Sequence, residues 1–183
     1  MKILSYRKRA QAFPLILTLG LASCVTHTTS RAEFLAQLDP TNERIAKYEQ
    51  VLRQTYKPRV TARGPIAVNE AVNQARYVDE ANDVWQPNAL WVKGGDCEDY
   101  ALAKMFELKA QGVSDTYLAV LTHLFQPKSH AVLLAEIDGG LYALDNQRKS
   151  PVPVSDLFHN YRLRYVISAK TGQVFVPRSV SVN

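Results

Sequence analysis

One glycine-rich stretch, residues 94–100, presents a cysteine at the start of a predicted helix. It reads Gly-Gly-Asp-Cys-Glu-Asp-Tyr and continues into a largely apolar run that ends near Gly112. Asp96 is a suitable N-cap, and the acids after it favour the positive end of the helix dipole. A thiol placed here projects from a loop beside backbone N–H groups, which is how nucleophilic cysteines are usually presented. Cys97 is therefore our candidate nucleophile.

A cysteine nucleophile needs a base, and the base needs a partner that orients it. The chain has four histidines. His130 begins a predicted strand and is the best placed of them to reach the helix start, whereas His123 lies beside another strand end and His159 in a predicted surface segment. Asp145 closes the strand after His130 and is the candidate orienting carboxylate. The alternative for both residues is structural, since Asp-Asn pairs such as the one that begins at Asp145 are common in turns.

The hairpin between these two strands decides whether His130 and Asp145 meet. Its turn signal is Asp138-Gly139-Gly140. A two-residue turn of the glycines alone would set Asp145 opposite Leu134, about 13 Å from His130 at the rise of a strand. A turn centred on Asp138 places Asp145 beside His130, and this is the register that we predict.

Three carboxylates, Asp96, Glu98 and Asp99, flank the candidate nucleophile. They disfavour the thiolate and so oppose the effect of the helix dipole on the thiol pKa. A bound cation would offset them, and calcium takes both carboxylate and backbone oxygens. The alternative is that these acids only decorate a helix N-terminus.

Residues 1–23 resemble a bacterial export signal. A basic segment is followed by an apolar run too short to span a bilayer, and then by Leu21-Ala22-Ser23-Cys24, which resembles a lipobox. We predict that the chain is a periplasmic lipoprotein acylated on Cys24. Because Val25 stands where an aspartate favours retention in the inner membrane, we expect the outer membrane. An ordinary signal peptide is the alternative.

The chain contains two cysteines, so acylation of Cys24 leaves Cys97 as its one free thiol. A single thiol in an oxidising compartment is either buried and inert or kept for its reactivity. Without acylation, a disulfide between the two cysteines is the alternative.

The net charge of +5 gives no support for nucleic-acid binding. The leader holds four of the 22 Lys and Arg residues and none of the acids, which leaves 18 basic against 17 acidic residues in the remainder. A nucleic-acid interface needs a clustered excess of basic residues on the folded domain, and none is visible. We therefore expect no nucleic-acid partner.

Beyond the leader we predict a tether over residues 24–31 and one domain over residues 32–183. Helical patterns precede the strand patterns, and the cysteine helix has a narrow polar stripe of Lys104, Glu107 and Gln111, so it should be largely buried. The predicted helices cover 32–56 with a break at 39–41, 67–84 and 97–111, and the predicted strands cover 115–122, 129–137, 141–146, 163–169 and 173–176. A short helix is possible within 154–161. This order indicates an α+β fold in which the cysteine helix packs on an antiparallel sheet.

Three blocks of the chain, Gly94–Lys104, Ser129–Leu133 and Leu144–Asn146, together resemble the bacterial transglutaminase-like cysteine peptidases. The resemblance covers about residues 65–168 and implies a papain/transglutaminase-like fold with a Cys97–His130–Asp145 triad. In that reading Cys97 attacks a backbone carbonyl, His130 acts as base and then as acid, and Asp145 holds the imidazole.

The resemblance also implies a calcium ion that is needed for activity and is bound by Asp96 and Glu98. The implied substrates are large surface adhesins cut near the N-terminus. The implied regulator is the periplasmic domain of a cyclic-di-GMP receptor. The lipid anchor departs from the soluble pattern of the family.

Three other functions are compatible with parts of this pattern. A cell-wall peptidase or amidase of the NlpC kind also carries Asp-Cys on a helix, but its motif continues with Ser-Gly where this chain has Glu98-Asp99. The same triad can perform acyl transfer to an amine. An inactive fold used for binding is the non-enzymatic alternative.

Overall fold

The computed structural model describes residues 28–80 and 83–178. The predicted leader, Cys24 and the start of the predicted tether lie outside these ranges. The helices are α1 (Arg31–Leu35), α2 (Ala46–Leu52), α3 (Gly64–Val72), α4 (Cys97–Ala110) and α5 (Val154–Leu157), with a 3₁₀ turn at Ala89–Trp91. The strands are β1 (Leu38–Pro40), β2 (Tyr117–His123), β3 (Ser129–Ile137), β4 (Gly140–Leu144), β5 (Val152–Pro153), β6 (Tyr161–Ser168) and β7 (Val174–Pro177). None of the helices in the described part of the chain is long and apolar enough to cross a membrane.

The strands form one seven-stranded sheet in the order β1-β7-β6-β2-β3-β4-β5, and every neighbouring pair is antiparallel. Apolar side chains alternate along β3, so that each face of the sheet has its own core. On one face Leu133 packs with Leu102 and Met105 of α4. On the other face Leu134 packs with Phe34 of α1 and with residues of α5. The predicted α+β architecture, with the cysteine helix on an antiparallel sheet, is confirmed.

The helices before α4 are shorter than the periodicity predicts. The predicted helix over 67–84 ends at Val72, because the backbone of the following segment pairs with the glycine loop instead of with itself. Tyr77 forms a parallel bridge with Gly95, and the Val78 N–H donates to the Gly95 carbonyl at 2.9 Å. The predicted break at 39–41 lies at a short strand, β1, which pairs with β7.

The hairpin between β3 and β4 turns on Asp138 and Gly139. Ile137 pairs with Gly140, and both turn residues have positive φ, 49° and 81°. Such a turn matches the twist of the two strands. Leu144 pairs with Leu133. Because the strands are antiparallel, Asp145 follows at the level of Val132, two residues from His130. The turn therefore begins at Asp138, one residue before the two-glycine turn that would have separated the pair.

The polar stripe of α4 is buried and binds neighbouring backbone. Glu107 accepts hydrogen bonds from Tyr56 Oη at 2.8 Å and from the Arg59 N–H at 2.7 Å. Gln111 accepts a hydrogen bond from the Gly64 N–H and donates one to the Ala62 carbonyl, where the chain enters α3. Lys104 donates to the Leu144 carbonyl of β4. These hydrogen bonds give the polar side of α4 partners within the fold, so the helix can be buried along most of its length.

Residues 28–31, assigned above to the tether, are held against the fold. The Leu141 N–H donates to the Thr29 carbonyl at 2.8 Å, and Thr28 lies so close to Gly140 that a Cβ there would be 2.9 Å from it. Ser30 caps α1 through a capping box. Arg31 forms ion pairs with two carboxylates near the same end of the sheet.

The two glycines before the cysteine are required for different reasons. Gly94 has φ 89°, and a Cβ on it would lie 2.5 Å from the Arg76 carbonyl oxygen. Gly95 lacks the positive φ, but a Cβ on it would overlap the Asp99 carboxylate. The loop can therefore pass between the segment at 76–78 and the first turn of α4 only if both residues lack side chains.

We expect Gly94→Ala to destabilise the chain by about 3 kcal/mol or more, because it adds a backbone clash to an unfavourable φ. Gly112→Ala is the matched control. Gly112 has a similar φ of 85° but nothing within 4 Å of its Cβ position, so only the conformational cost of about 1 kcal/mol applies. Urea unfolding of the two variants measures the difference, and equal losses would show that the contact with Arg76 is unimportant.

Candidate active site

Cys97 is the first residue of α4 and is partly buried. The N-cap position belongs to Asp96, as the sequence predicts, but its side chain makes no capping hydrogen bond. The N–H groups of the first helical turn have no partner within the helix. The thiol therefore sits beside backbone donors that are free to bind an oxyanion.

His130 and Asp145 meet at the end of the sheet that lies beside the start of α4. The distance from His130 Nε2 to Asp145 Oδ1 is 2.9 Å, and the two residues are 4% and 2% exposed. Burial alone would raise the pKa of Asp145, but the hydrogen bond and charge of His130 hold it below its ordinary value. The Gln147 N–H donates to the same carboxylate oxygen at 2.9 Å. Because Nε2 is engaged, Nδ1 is the nitrogen available to a thiol.

Tyr161 holds the imidazole of His130 from one side. The two rings stack with centroids 5.3 Å apart and an interplanar angle of 29°. The ring of His123 packs edge-on against Tyr161, with the two centroids 5.0 Å apart. Its Nδ1 accepts a hydrogen bond from the Phe125 N–H. His159 is exposed and bonds to the Asp156 carbonyl. The two other histidines of the described chain thus have structural contacts of their own.

Cys97 and His130 line the same open cleft, which has a volume of about 610 Å³. The Ala131 backbone N–H lowers the pKa of Cys97, so the thiol lies next to the beginning of β3. Four acidic side chains also line the cleft: Asp79, Asp83, Asp96 and Glu98. The cleft therefore combines a thiol, an oriented imidazole and an excess of negative charge.

The acidic side chains keep the thiol protonated. Cys97 Sγ donates to Glu98 Oε2 at 3.2 Å. Burial, the charge of Glu98 and this hydrogen bond raise the pKa of Cys97 far above its ordinary value, with a smaller contribution from Asp96. Only the Ala131 N–H acts in the opposite direction. The predicted conflict between the acids and the nucleophile is therefore present in the structure.

Asp96 and Glu98 have the chemistry of a partial cation site. Asp96 is buried, and its Oδ1 has no hydrogen-bond partner. Burial first, and then the charge of Glu98, raise the pKa of Asp96 to about 8. Within residues 28–80 and 83–178, no group of three His, Cys, Asp or Glu side chains is arranged to hold a metal ion. A hard cation bound to these two carboxylates would need further oxygens from the backbone or from water, as calcium sites commonly use.

The comparisons with known proteins agree with this geometry. A family model described as bacterial transglutaminase-like cysteine proteinase matches residues 32–173. The chain belongs to this family. It is a cysteine proteinase of transglutaminase-like fold, so the predicted enzyme class and fold are confirmed.

Two solved structures of Legionella pneumophila LapG are similar to this proteinase. The calcium-bound form has 25% identity and a TM-score of 0.51, and the match covers 63% of this chain and 70% of that one. The EGTA-treated form has 25% identity and a TM-score of 0.53, with 63% and 66% covered. A comparison with curated proteins finds no match.

Asp99 differs from the two acids before it, because it supports the fold of the proteinase. Its Oδ1 accepts the Gln86 N–H at 2.6 Å and so attaches the segment before the 3₁₀ turn to α4. Burial raises the pKa of Asp99 to about 6, with the Gln86 N–H opposing the rise. Its other oxygen packs against Gly95. Asp99 thus shapes the glycine loop, and its Oδ2, like Asp96 Oδ1, is buried without a hydrogen-bond partner.

Sequence reasoning missed two residues that surround the His130–Asp145 pair. Tyr161 lies at the start of β6, and no pattern in the chain links it to His130. Lys104 was placed on the polar stripe of α4, although a lysine in a largely apolar helix is a signal of an internal partner. The structure places its ammonium group beside the end of β4.

We expect the calcium-free proteinase to lose stability as the pH rises from about 6 to about 8. The folded chain holds the Asp96 proton up to about pH 8, whereas the ordinary value is 3.8, so the folded state binds more protons in this window. In Asp96→Asn, the decline in the free energy of unfolding over this range should be smaller by on the order of 2 kcal/mol. The measurement is urea unfolding in excess chelator at both pH values.

The control for this experiment is Asp156→Asn, which changes an exposed carboxylate on α5. The free energy of unfolding of this variant should fall with rising pH as that of the wild type does. An undiminished decline in Asp96→Asn would contradict the assignment to Asp96.

Proposed function

We propose that this proteinase is a calcium-dependent endopeptidase that cleaves a cell-surface adhesin near its N-terminus. Cys97, His130 and Asp145 are its catalytic residues. The observation that carries the proposal is the 2.9 Å bond between His130 and Asp145 in a cleft shared with the thiol that begins α4. Family membership supports the chemistry, and the kind of substrate is the one that the resemblance of the sequence to this family implies.

The first half of the reaction forms a thioester. Cys97 Sγ attacks the carbonyl carbon of the scissile peptide, and its proton passes to His130 Nδ1. Asp145 holds the imidazole through Nε2 and stabilises the positive charge that develops on it. The backbone N–H of Cys97 is placed to donate to the oxyanion. When the tetrahedral adduct collapses, the C–N bond breaks and His130 returns the proton to the leaving amine.

The second half releases the product by hydrolysis. His130 Nδ1 takes a proton from a water molecule, whose oxygen attacks the thioester carbonyl. The C–S bond breaks, the sulfur leaves as a thiolate and recovers its proton from the imidazolium. Stacking of Tyr161 on the imidazole keeps the ring in one orientation through both halves.

Asp96 and Glu98 are the residues that would hold calcium. Their hard oxygen donors suit this ion, and the buried Asp96 Oδ1 lacks any other partner. A bound calcium ion would neutralise the carboxylates that disfavour the thiolate. Without Glu98 as its acceptor, the thiol of Cys97 is free to turn to His130. The calcium-bound and EGTA-treated states of the similar LapG support this part of the proposal.

We expect Asp145→Asn to lower the rate of cleavage by on the order of a thousand-fold, because the imidazole loses the carboxylate that orients it. Cys97→Ala should abolish cleavage. Both variants should keep the circular dichroism spectrum of the wild type. The measurement compares the N-termini of large surface proteins from cells that express the wild type, either variant, or Asp156→Asn as the control.

The outcome expected from this comparison is one large surface protein that is shortened near its N-terminus in the wild type and in the control. Shortening that persists in folded Cys97→Ala would refute the proposal. New N-termini only in cell-wall peptides or amine-linked products would favour the alternative chemistries instead.

We expect calcium and its luminescent analogue Tb³⁺ to bind the proteinase at Asp96 and Glu98. Trp85 is a suitable donor of excitation energy, since its Nε1 bonds Asp83 Oδ1 at 2.8 Å and both residues line the cleft. Glu98→Gln should weaken binding by about ten-fold or more. Excess chelator should abolish activity of the wild type.

The control for metal binding is Asp115→Asn, which changes an exposed carboxylate beyond the other end of α4. Trp85→Phe should lose Tb³⁺ luminescence but retain calcium binding by calorimetry. Full activity in chelator, or unchanged binding in Glu98→Gln, would argue against this site.

Lipidation of Cys24, attachment to the outer membrane and control by a cyclic-di-GMP receptor domain remain predictions of the sequence. The first is tested by the mass and membrane partition of the mature protein. Cys24→Ser should lose both the lipid mass and the partition, and a variant that still partitions would contradict the lipobox.

A further inference from the structure

Helix α4 carries a lysine whose side chain has no access to solvent. Lys104 is 0% exposed and lies seven residues after Cys97, about two turns along the same face of the helix. Lysine is almost never fully buried without a partner, because an ammonium group is costly to remove from water. The position of Lys104 therefore calls for a specific interaction.

Lys104 contacts the end of β4 and an aromatic ring of its own helix. Its Nζ donates to the Leu144 carbonyl at 3.0 Å, and Leu144 directly precedes Asp145. The same ammonium lies 6.0 Å from the ring centroid of Tyr100, whose hydroxyl is fixed by a 2.6 Å bond to the Ala75 carbonyl. Burial lowers the pKa of Lys104 to about 7, and the charge of Asp145 opposes this fall. The reverse effect also holds, since the charge of Lys104 helps to lower the pKa of Asp145.

Attachment of α4 to its neighbours does not require a charge at this position. Leu102 and Met105 already pack against the sheet on both sides of Lys104. Glu107 and Gln111, the other members of the stripe, bind the loop before α3 rather than the catalytic strand. Lys104 is the member of the stripe whose charge acts on a catalytic carboxylate.

We propose that Lys104 is a positioning residue for the His130–Asp145 pair. Its hydrogen bond fixes the backbone where Asp145 leaves β4, and its buried positive charge favours the carboxylate form that orients the imidazole. The inference rests on the proposed catalytic role of His130 and Asp145. It adds a fourth residue, on the same helix as the nucleophile, that links the two halves of the site.

The test measures the reactivity of Cys97 and needs no substrate. The full-length chain with Cys24→Ser has one thiol, so iodoacetamide reports on Cys97 alone. The rate of Cys97 alkylation is measured at a fixed calcium concentration from about pH 5 to about pH 9. The shape of this pH profile distinguishes a thiol that is paired with an imidazole from an ordinary one. The variants are Lys104→Met, which keeps the apolar stem without the charge, and Lys109→Met, an exposed lysine on the last turn of α4 as the matched control.

We expect Lys104→Met to react about ten-fold more slowly near neutral pH, which is less than the loss from removing Asp145 itself. The acidic limb of its profile should move to higher pH, because the carboxylate that orients the imidazole is less firmly held without the ammonium group that bonds the Leu144 carbonyl. Lys109→Met should superimpose on the wild type. A folded Lys104→Met with the wild-type profile would overturn the inference.

Two further variants separate positioning from folding. Lys104→Gln keeps a donor for the Leu144 carbonyl without the charge, and it should retain the shift of the acidic limb even if Lys104→Met does not fold. Glu107→Gln weakens a buried attachment of the same helix, so it should lower the melting temperature and leave the profile unchanged. A folded Lys104→Gln with no shift, or the same shift in Glu107→Gln, would count against a role specific to Lys104.

The same assay distinguishes this inference from the proposed function. If His130→Ala and Asp145→Asn leave the alkylation profile unchanged, the catalytic assignment fails and Lys104 has no pair to position. If these two variants alter the profile and the Lys104 variants do not, the catalytic assignment stands and only the inference about Lys104 is wrong.

Discussion

The hydrogen bond between the Cys97 thiol and the Glu98 carboxylate, 3.2 Å long, is the interaction on which the behaviour of the site depends. It joins a nucleophile to the group that most directly opposes its ionisation. His130 and Asp145 are hydrogen-bonded to each other in the same cleft, so the proposed catalytic groups are assembled while the thiol is bound to an acid. In the proposed mechanism, a cation bound by the acids at the start of α4 would remove this opposition.

Helix α4 connects every part of the molecule that this site requires. Its first turn carries the thiol and the acids, and Asp99 secures the glycine loop that delivers them. Its buried polar stripe attaches the chain before α3 at one end and the end of β4 at the other. Apolar packing against β3 then sets the distance between the nucleophile and the strand that begins with His130. The low polarity of this helix in the sequence reflects that central position.

Local chemistry in the sequence selected Cys97, His130 and Asp145 as candidates, because each follows a turn or begins an element with a clear signal, and the hairpin register brings the last two together. The length of α3 was mispredicted, since the residues after Val72 keep a helical pattern while their backbone pairs with the glycine loop. Asp96 takes the predicted N-cap position, but its side chain makes no capping hydrogen bond and its Oδ1 has no partner. Such errors arise where a distant segment competes for the same backbone groups, and a single sequence carries no record of that competition.

Thr28 and Thr29 dock beside Gly140, so the N-terminal segment and His130 lie at opposite ends of β3. The N-terminal segment enters at the hairpin end of this strand, whereas His130 begins its other end, seven residues from Ile137 or about 23 Å at the rise of a strand. Cys24 precedes Thr28 by four residues, a reach of at most about 14 Å. A lipid on Cys24 would therefore hold the hairpin end of β3 near the bilayer, with the cleft at the opposite end of this strand.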